Sequence, residues 1–445
     1  MNQTRLLRWW FAGSVALAMA LLVWFAFERD WLARGKQLTN STLETPRVFP
    51  KSPPRHAPSA RKIAAEPLPS HATGPSVKDE DRLSKLLRRR LNSASALRNE
   101  ALLKFKSPAA LRDFLNRAGR GKLKVLGRLD ALLAVRVGFD QLEQLRALIG
   151  DDASVYEDID ANFVVKVPDW PSAEDRPGGS GTASFGGDFL DAIGATGDRS
   201  AWGDGITVAV LDTGVEAHPT FSDGQITHMD LVNDGQPFDG HGTAVASLIG
   251  GQDEQAPGVA PASHILDVRV ADSQGVSSSF TLAEGIIQAA DAGAQVINIS
   301  LGSYGDAAVV RDAVAYAQSK GAVVIGAAGN DQTDNQLAYP AAISSVISVG
   351  GVDANHQQAY FSNSGTGLDV TAPAVGIQSA YGADSIVLGD GTSQAAAIAS
   401  GVVAYGLSSG ATTTDNAADW LKQNTLPLTL PPERGGAGMT QVGSP

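Results

Sequence analysis

The chain of 445 residues is long enough for two or three domains, and its 43% hydrophobic content with 48 glycines is typical of a globular α/β protein. It contains no cysteine, which excludes a disulfide framework and thiol chemistry. The net charge of -12 is unevenly distributed, because residues 1–185 carry 29 Lys+Arg against 20 Asp+Glu, whereas residues 186–445 carry 6 against 27. The acidic second part argues against nucleic acid as a partner.

An apolar stretch without charged residues, WWFAGSVALAMALLVWFAF, occupies residues 9–27 and is long enough to span a bilayer. Tryptophans near both of its ends suit a membrane interface. A cleaved signal peptide is the alternative, because Ala-x-Ala patterns occur at Ala16–Ala18 and Ala18–Ala20. The apolar run continues past them to Phe27, which favours an uncleaved anchor. Basic residues flank both ends, so the charge pattern leaves the orientation open.

Residues 28–77 are rich in Pro, Ser and Thr and contain few large apolar side chains, which predicts a disordered linker. An amphipathic helix is expected from Asp79, and strand, helix, strand, strand, helix and strand patterns follow between residues 100 and 165. This βαββαβ order predicts a small ferredoxin-like α+β domain over residues 78–168. A generic interaction module with the same fold is the alternative.

Strand and helix patterns alternate in the remainder of the chain. Apolar runs predict strands at 206–212, 264–270, 294–301, 322–328 and 345–351, and helices at 241–250, 278–292 and 306–320. Such alternation predicts an α/β domain with a parallel sheet and helices on both faces. In these sheets the reactive groups gather at the carboxyl ends of the strands.

The composition also predicts the domain boundaries. A Pro-, Gly- and Ser-rich stretch separates the two predicted domains and suits a cleavable linker. The expected organisation is an N-terminal tail (1–8), a transmembrane anchor (9–27), a disordered linker (28–77), a small α+β domain (78–168), a cleavable linker (169–186), an α/β domain (187–426) and a C-terminal tail (427–445).

Three stretches of the α/β domain carry residue types that suit nucleophilic catalysis. The strand ITVAVLDTG contains Asp212 at its end, DGHGTAVAS contains His241 between glycines, and DGTSQAAAIASG contains Ser393 at the start of a helix. A helix N-terminus favours developing negative charge. A hydroxyl nucleophile, an imidazole base and a carboxylate that orients the imidazole are the parts of Ser-His-Asp catalysis. A serine that only caps an Ala-rich helix is the alternative for this stretch alone.

These stretches resemble the signature motifs of the subtilisin-like serine proteases, in the Asp, His, Ser order of that family. The resemblance covers roughly residues 186–425, and it implies a subtilisin-like fold and a serine endopeptidase. It implies Asp212, His241 and Ser393 as the catalytic triad. The stretch AVVIGAAGN, which ends in Asn330, resembles the family segment whose asparagine donates to the oxyanion, together with the backbone N–H of the serine.

A further stretch, VINISLGS, resembles the substrate-binding strand of the family and implies Ser300, Leu301 and Gly302 as substrate-binding residues. A protein or peptide substrate is expected to pair as an extra strand against this segment and against residues 274–278. Because these wall residues are uncharged, we expect an apolar or broad preference for the residue before the cut.

The small domain resembles, in pattern and position, the propeptide domains of this family. The resemblance implies that residues 78–168 aid folding and act as an intramolecular inhibitor. The last strand, from Asn162 to Val167, is then expected to lead into the active site, with self-cleavage between about Asn162 and Phe185. Opposite charge on the two parts would speed their docking. A proenzyme of this kind is expected to sit on the membrane through residues 9–27, with the catalytic domain outside the cytoplasm, in the periplasm or the extracellular space.

No cofactor is expected, because no His, Asp or Glu cluster has the spacing of metal ligands. Calcium is common in the family, and a structural calcium site stays open without assigned ligands, since the chain has no EF-hand-like loop. Two other functions remain open. One is a peptide ligase or cyclase with the same acyl-enzyme chemistry. The other is a catalytically inactive, membrane-tethered binding protein on a subtilase scaffold, against which the intact set of four residues argues.

Overall fold

The computed structural model describes residues 91, 93, 95–118, 123–150, 153–169, 171 and 182–443. The predicted anchor (9–27), the predicted disordered linker (28–77) and most of the predicted cleavable linker lie outside these residues. Within the described part of the chain, no helix is both long enough and apolar enough to cross a bilayer.

The small domain, residues 95–168, has the strand and helix order expected from the sequence. Its elements are β1 (Ala96–Phe105), α1 (Pro108–Ala118), β2 (Lys124–Leu129), β3 (Ala134–Gly138), α2 (Leu142–Gly150) and β4 (Tyr156–Lys166). Strand β1 lies between β3 and β4 and is antiparallel to both, and β2 is the edge strand beside β3. The core under the helices includes Phe105, Phe114 and Leu145, all fully buried.

The large domain, residues 182–443, begins with α3 (Phe189–Ala192), β5 (Thr207–Asp212), β6 (Ile226–Asp230), α4 (His241–Gly250), β7 (Gln252–Asp253), β8 (Ala256–Pro257), β9 (His264–Arg269), β10 (Val276–Ser278), α5 (Ser279–Asp291), β11 (Val296–Ile299), α6 (Ala308–Ser319) and β12 (Val323–Ala327). It continues with β13 (Ile347–Val352), β14 (Val370–Pro373), β15 (Ile377–Tyr381), β16 (Ser385–Gly389), α7 (Thr392–Ser408), α8 (Ala417–Gln423), β17 (Thr425–Leu426), α9 (Pro432–Gly435) and β18 (Met439–Thr440).

A nine-stranded sheet runs through the large domain in the order β17-β18-β14-β13-β12-β11-β5-β9-β6. All neighbouring strands are parallel except β17, which is antiparallel to β18. The central strands are buried along almost their whole length, because helices cover both faces. This explains the continuous apolar runs from which these strands were predicted.

Alternate side chains of the central strands belong to two separate apolar clusters, one on each face of the sheet. Val210 and Ile325 point to the face covered by α4 and α7. Leu211 and Val324 point to the face covered by α5 and α6. The predicted architecture of a parallel sheet with helices on both faces is therefore confirmed.

The small domain packs the outer face of its sheet on α5 and α6. Leu102 and Phe163 of this sheet share an apolar cluster with Phe280 of α5 and Val309 of α6. Strand β10 of the large domain pairs antiparallel with β4, so that the sheet of the small domain continues into the large domain. This pairing brings the end of β4 to the edge of the large domain where the candidate site lies.

Both ends of the large domain differ from the boundaries expected from the sequence. The expected C-terminal tail over 427–445 instead contributes α9 and β18, because Met439 and Thr440 are fully buried beside Thr371 of β14. At the other end, Phe185 is buried in the cluster beneath α7, and its amide donates to the Val375 carbonyl at 3.0 Å. The folded large domain therefore starts before residue 187 and extends beyond residue 426.

Candidate active site

Asp212 is the last residue of β5 and is completely buried. A parallel strand ends here at the edge of the sheet where other strand ends gather. The backbone amide of Thr213 donates to Asp212 Oδ1 at 2.7 Å. This hydrogen bond holds the carboxylate against the turn that follows the strand.

His241 is the first residue of α4, and its imidazole is almost fully buried against Asp212. Its Nδ1 lies 2.8 Å from Asp212 Oδ1 and 3.0 Å from Asp212 Oδ2. Burial lowers the pKa of His241, but the charge of Asp212 and the hydrogen bond to it outweigh burial and raise this pKa above the ordinary value. The pair therefore has the arrangement of an imidazole oriented and made more basic by a carboxylate.

The turn after β5 is fastened to the first turn of α4, which fixes His241 relative to Asp212. The Gly242 amide donates to Thr213 Oγ1 at 3.2 Å, and the Glu216 amide donates to Thr243 Oγ1 at 2.9 Å. A Cβ at position 242 would lie 2.4 Å from the Gly214 carbonyl oxygen, so the contact requires glycine.

Ser393 is the second residue of α7, at the N-terminus of a long helix that packs on the sheet. The Ser393 hydroxyl donates to the Ser300 carbonyl at 3.2 Å, and the Ser300 hydroxyl donates back to the Ser393 carbonyl at 3.3 Å. These two contacts fix the start of α7 against the end of β11. Asp390 anchors the approach to the helix, because its Oδ1 accepts from the Gly376 amide at 2.6 Å.

Asn330 lies just beyond β12, and its side chain is held by the residue that precedes Ser393. Asn330 Oδ1 accepts hydrogen bonds from the Thr392 amide at 2.9 Å and from Thr392 Oγ1 at 2.8 Å. Thr392 Oγ1 in turn accepts from the Gly329 amide at 3.1 Å. With its oxygen engaged in this way, the amide group has Nδ2 as the donor at its other end.

The four residues expected to act together line one small cleft or lie directly behind it. The cleft is lined by His241, Asn330, Ser393, Asp390, Gln394 and Pro168. Asp212 lies behind His241, and Pro168 is contributed by the small domain. The buried Gln394 Oε1 has no hydrogen-bond partner among the described residues. The arrangement brings together a hydroxyl, an imidazole–carboxylate pair and an amide donor.

The predicted substrate-binding segment follows β11 and is already occupied by the end of the small domain. Lys166 and Gly302 exchange two backbone hydrogen bonds, of 2.9 and 2.8 Å, and the Val167 amide donates to the Gly275 carbonyl at 2.8 Å. Leu301 is buried in the apolar cluster that also contains Val165. These contacts are made by the small domain, and the pairing of a substrate against residues 300–302 and 274–278 stays a prediction.

Sequence reasoning missed a buried polar chain that links β11 to α7. Asn298 Nδ2 donates to Ser300 Oγ at 3.0 Å, and Ser400 Oγ donates to Asn298 Oδ1 at 3.0 Å. Ser400 lies two helical turns after Ser393, so helical spacing places both serines on the side of α7 that faces the sheet. That spacing, together with the asparagine inside the apolar run VINIS, was the available signal.

A second missed group is charged and lies on β9, next to β5. Asp267 is 1% exposed, and its Oδ2 accepts from the Val215 amide at 3.0 Å and lies 2.8 Å from His228 Nδ1. Arg269 is equally buried and pairs with Asp230 at 3.2 Å. In the described part of the chain, no group of three or more His, Cys, Asp or Glu residues is arranged to hold a metal ion.

The sequence of the large domain agrees with this geometry. Residues 203–438 match the sequence model of Peptidase_S8, the subtilase family. The chain belongs to this family. A thermophilic serine proteinase from Bacillus sp. (strain AK1) is 40% identical to this subtilase over 213 residues, which are 46% of this chain and 53% of the relative. Subtilisin Savinase from Lederbergia lenta is 36% identical over 210 residues, which are 46% of this chain and 78% of that protein.

The fold is similar to those of solved structures. Fervidolysin from Fervidobacterium pennivorans, a keratinolytic enzyme related to subtilisin, has a TM-score of 0.67 at 24% identity, and the match covers 79% of this subtilase and 61% of that chain. A mutant of the protease domain of PatA has a TM-score of 0.51 at 31% identity, with 55% and 95% coverage. This subtilase spans about half the length of the first curated relatives it matches.

Proposed function

We propose that this subtilase is a serine endopeptidase that hydrolyses peptide bonds through an acyl-enzyme. The observation that carries the proposal is the His241–Asp212 pair, joined at 2.8 Å, beside Ser393 in one cleft. Each member has a chemical part in this reaction: Ser393 as nucleophile, His241 as general base and Asp212 as the carboxylate that orients the imidazole.

In the proposed reaction the Ser393 hydroxyl turns from the Ser300 carbonyl to His241 Nε2, which takes its proton while Oγ attacks the substrate carbonyl carbon. Asn330 Nδ2 and the Ser393 N–H donate to the oxygen that becomes negative. When the C–N bond breaks, His241 gives the proton to the leaving amine. Water then hydrolyses the ester with His241 again as base, and Asp212 stabilises the imidazolium throughout.

We propose that the small domain is the intramolecular inhibitor of this enzyme and that the enzyme cuts itself between about Asn162 and Phe185. The support is the position of β4, whose continuation pairs with Gly302 and Gly275 and brings Pro168 into the cleft. The more basic composition of the N-terminal part also favours docking on the acidic large domain.

We propose that residues 9–27 anchor the protein in a membrane, with the large domain outside the cytoplasm. The support is the length and apolar character of that stretch and the hazard of an active protease in the cytoplasm. The anchored protein should resist carbonate extraction, and protease added to the extracytoplasmic side should reach the large domain. Protection of the large domain in intact cells would contradict this orientation.

The test of the proposed activity compares three purified full-length proteins: the unchanged chain, Ser393→Ala and Ser409→Ala. Ser409 is an exposed serine at the end of the same helix, so its substitution controls for loss of a serine. We expect the unchanged chain and Ser409→Ala to be labelled by a fluorophosphonate and to hydrolyse casein. Ser393→Ala should neither be labelled nor hydrolyse casein. Retained turnover in Ser393→Ala would refute the nucleophile. Joined peptides as the main product would indicate a ligase instead.

A further inference from the structure

The end of the small domain is held on both edges as it enters the cleft. On one edge it pairs with β10, where Ser277 lies opposite Val165 and Val276 lies opposite Lys166. On the other edge Lys166 and Gly302 exchange both of their backbone hydrogen bonds. In an antiparallel ladder, pairs that exchange two bonds recur every second residue. The next such pair beyond Lys166 and Gly302 is therefore residue 168 with residue 300.

Proline occupies position 168, and proline has no backbone N–H to donate. The ladder therefore lacks the hydrogen bond that an N–H of residue 168 would donate to the Ser300 carbonyl. In the structure that carbonyl accepts the Ser393 hydroxyl at 3.2 Å. The Ser300 carbonyl, which would accept the N–H of a substrate, thus accepts the hydroxyl of the proposed nucleophile Ser393 instead.

We propose that Pro168 makes the segment Val164–Pro168 an autoinhibitory strap that the enzyme cuts slowly at the Pro168–Asp169 bond. This inference rests on the proposed protease activity. The strap fills the cleft in the register of a substrate, but it withholds the hydrogen bond that would fix the reacting carbonyl. It also leaves the Ser300 carbonyl able to hold the Ser393 hydroxyl away from His241. Cutting would require Ser393 Oγ to bond to the carbonyl carbon of Pro168, with the proton passing through His241 to the amine of Asp169.

The same carbonyl makes the cleft selective. Any substrate with an N–H at the residue before the cut can donate to Ser300 and displace the Ser393 hydroxyl, whereas proline cannot. We therefore expect discrimination against proline at that position, by about fivefold or more, which is the effect of one net hydrogen bond. The same discrimination slows cleavage of the enzyme's own strap, which has proline at this position.

The first experiment follows self-cleavage of the full-length protein by mass spectrometry. Pro168→Ala restores the N–H, and Pro171→Ala is the control that removes a proline from the same stretch, beyond the position opposite Ser300. We expect a new N-terminus at Asp169 to form about fivefold or more faster in Pro168→Ala than in the unchanged chain or in Pro171→Ala. No such N-terminus should form when Ser393→Ala is added. Equal rates in the three proteins would overturn the proposal.

A second experiment separates the missing N–H from the shape of the ring. Synthetic peptides Val-Val-Lys-Val-X-Asp-Trp, with X as proline, alanine or N-methylalanine, are given to the self-cleaved Pro168→Ala enzyme. N-methylalanine cut as slowly as proline supports the hydrogen-bond account, and N-methylalanine cut like alanine overturns it. Casein is the reference substrate. If casein is hydrolysed but Pro168→Ala does not cut itself faster, only the proposal about the strap is refuted. If neither casein hydrolysis nor self-cleavage is seen, the proposed protease activity is refuted as well.

Discussion

Asn162 of β4 accepts a hydrogen bond from the Phe280 amide, in the first turn of α5, at 3.0 Å. The same oxygen accepts from Ser279 Oγ at 3.0 Å, and Asn162 Nδ2 donates to Glu100 Oε2 at 2.7 Å. Arg136 holds Glu100 through two hydrogen bonds. The first N–H groups of a helix have no hydrogen-bond acceptors within that helix. At the interface of the two domains, Asn162 of the small domain therefore supplies an acceptor to the first turn of α5 in the large domain.

Replacing Asn162 should loosen the docked small domain. Asn162→Ala leaves the Phe280 N–H and the Ser279 hydroxyl unpaired in a buried place, at a cost of about 1–3 kcal/mol for the lost partner. In a Ser393→Ala background, hydrogen exchange should become faster at the β4–β10 ladder and at the start of α5. Asn116→Ala, on the exposed side of α1, is the control. Unchanged exchange in Asn162→Ala would mean that apolar contacts alone hold the interface.

Asn330 should support the reaction more than substrate binding. Asn330→Ala should lower kcat by about 10²–10³ with little change in KM, the magnitude known for the oxyanion-hole asparagine of subtilisin. Thr392→Val removes one of the two hydrogen bonds that Asn330 Oδ1 accepts, together with the acceptor of the Gly329 amide, but it keeps Asn330 Nδ2, so it should cost less than Asn330→Ala. Steady-state kinetics on a fluorogenic peptide decides this. A raised KM with unaltered kcat would assign Asn330 to substrate binding instead.

The pH dependence of hydrolysis should follow the pKa of His241. A general base must be neutral, so kcat/KM should rise with pH through a midpoint above the ordinary value of 6.5, because Asp212 raises this pKa more than burial lowers it. Asp212→Asn removes the two larger contributions that raise this pKa and leaves burial opposed only by the charge of Asp239, so its midpoint should fall and its kcat should drop by about 10⁴. Asp239→Asn should lower the midpoint only slightly, since Asp239 is the weakest contributor. An unchanged midpoint in Asp212→Asn would show that another group titrates.

The main features of the site could be predicted because each residue marks the end of a local pattern. Asp212 ends an apolar run, His241 and Ser393 start small-residue helices, and Asn330 follows a buried strand. Parallel strands end at one edge, so these local signals already imply a common site. The distances between the residues, and the diversion of the Ser393 hydroxyl to Ser300, depend on packing between distant segments and could not be predicted.

The features that sequence reasoning missed all depend on pairing across long stretches of chain. Met439 reaches its place beside Thr371 through a strand of two residues, which is too short to show a period. Asp267 and Arg269 belong to β9, whose other buried residues are apolar, and burial of charge is expected only where a partner exists. Their partners lie on β6 and in the loop that follows it, and nothing in the local sequence identifies them.

The His228–Asp267 pair should make stability depend on pH. The hydrogen bond to Asp267 raises the pKa of His228 more than burial lowers it. A histidine whose pKa is raised on folding contributes stability that is fully present below about pH 6.5 and is lost as pH rises through the folded pKa. Burial also raises the pKa of Asp267, so deprotonation of its neighbour leaves a costly buried carboxylate with less compensation. The two descriptions refer to the same interaction, so the loss of stability with rising pH is counted once.

We therefore expect the urea midpoint of full-length Ser393→Ala to fall as pH rises from about 6 to 9. The size should be below about 1 kcal/mol, since the His228 side chain is 53% exposed and water screens it. His228→Asn should flatten this dependence. His264→Asn, on the neighbouring strand and with its ring against Thr227 Oγ1, should leave it intact. A slope that persists in His228→Asn would place the titrating group elsewhere, and Asp267→Asn would then show whether the buried carboxylate is responsible.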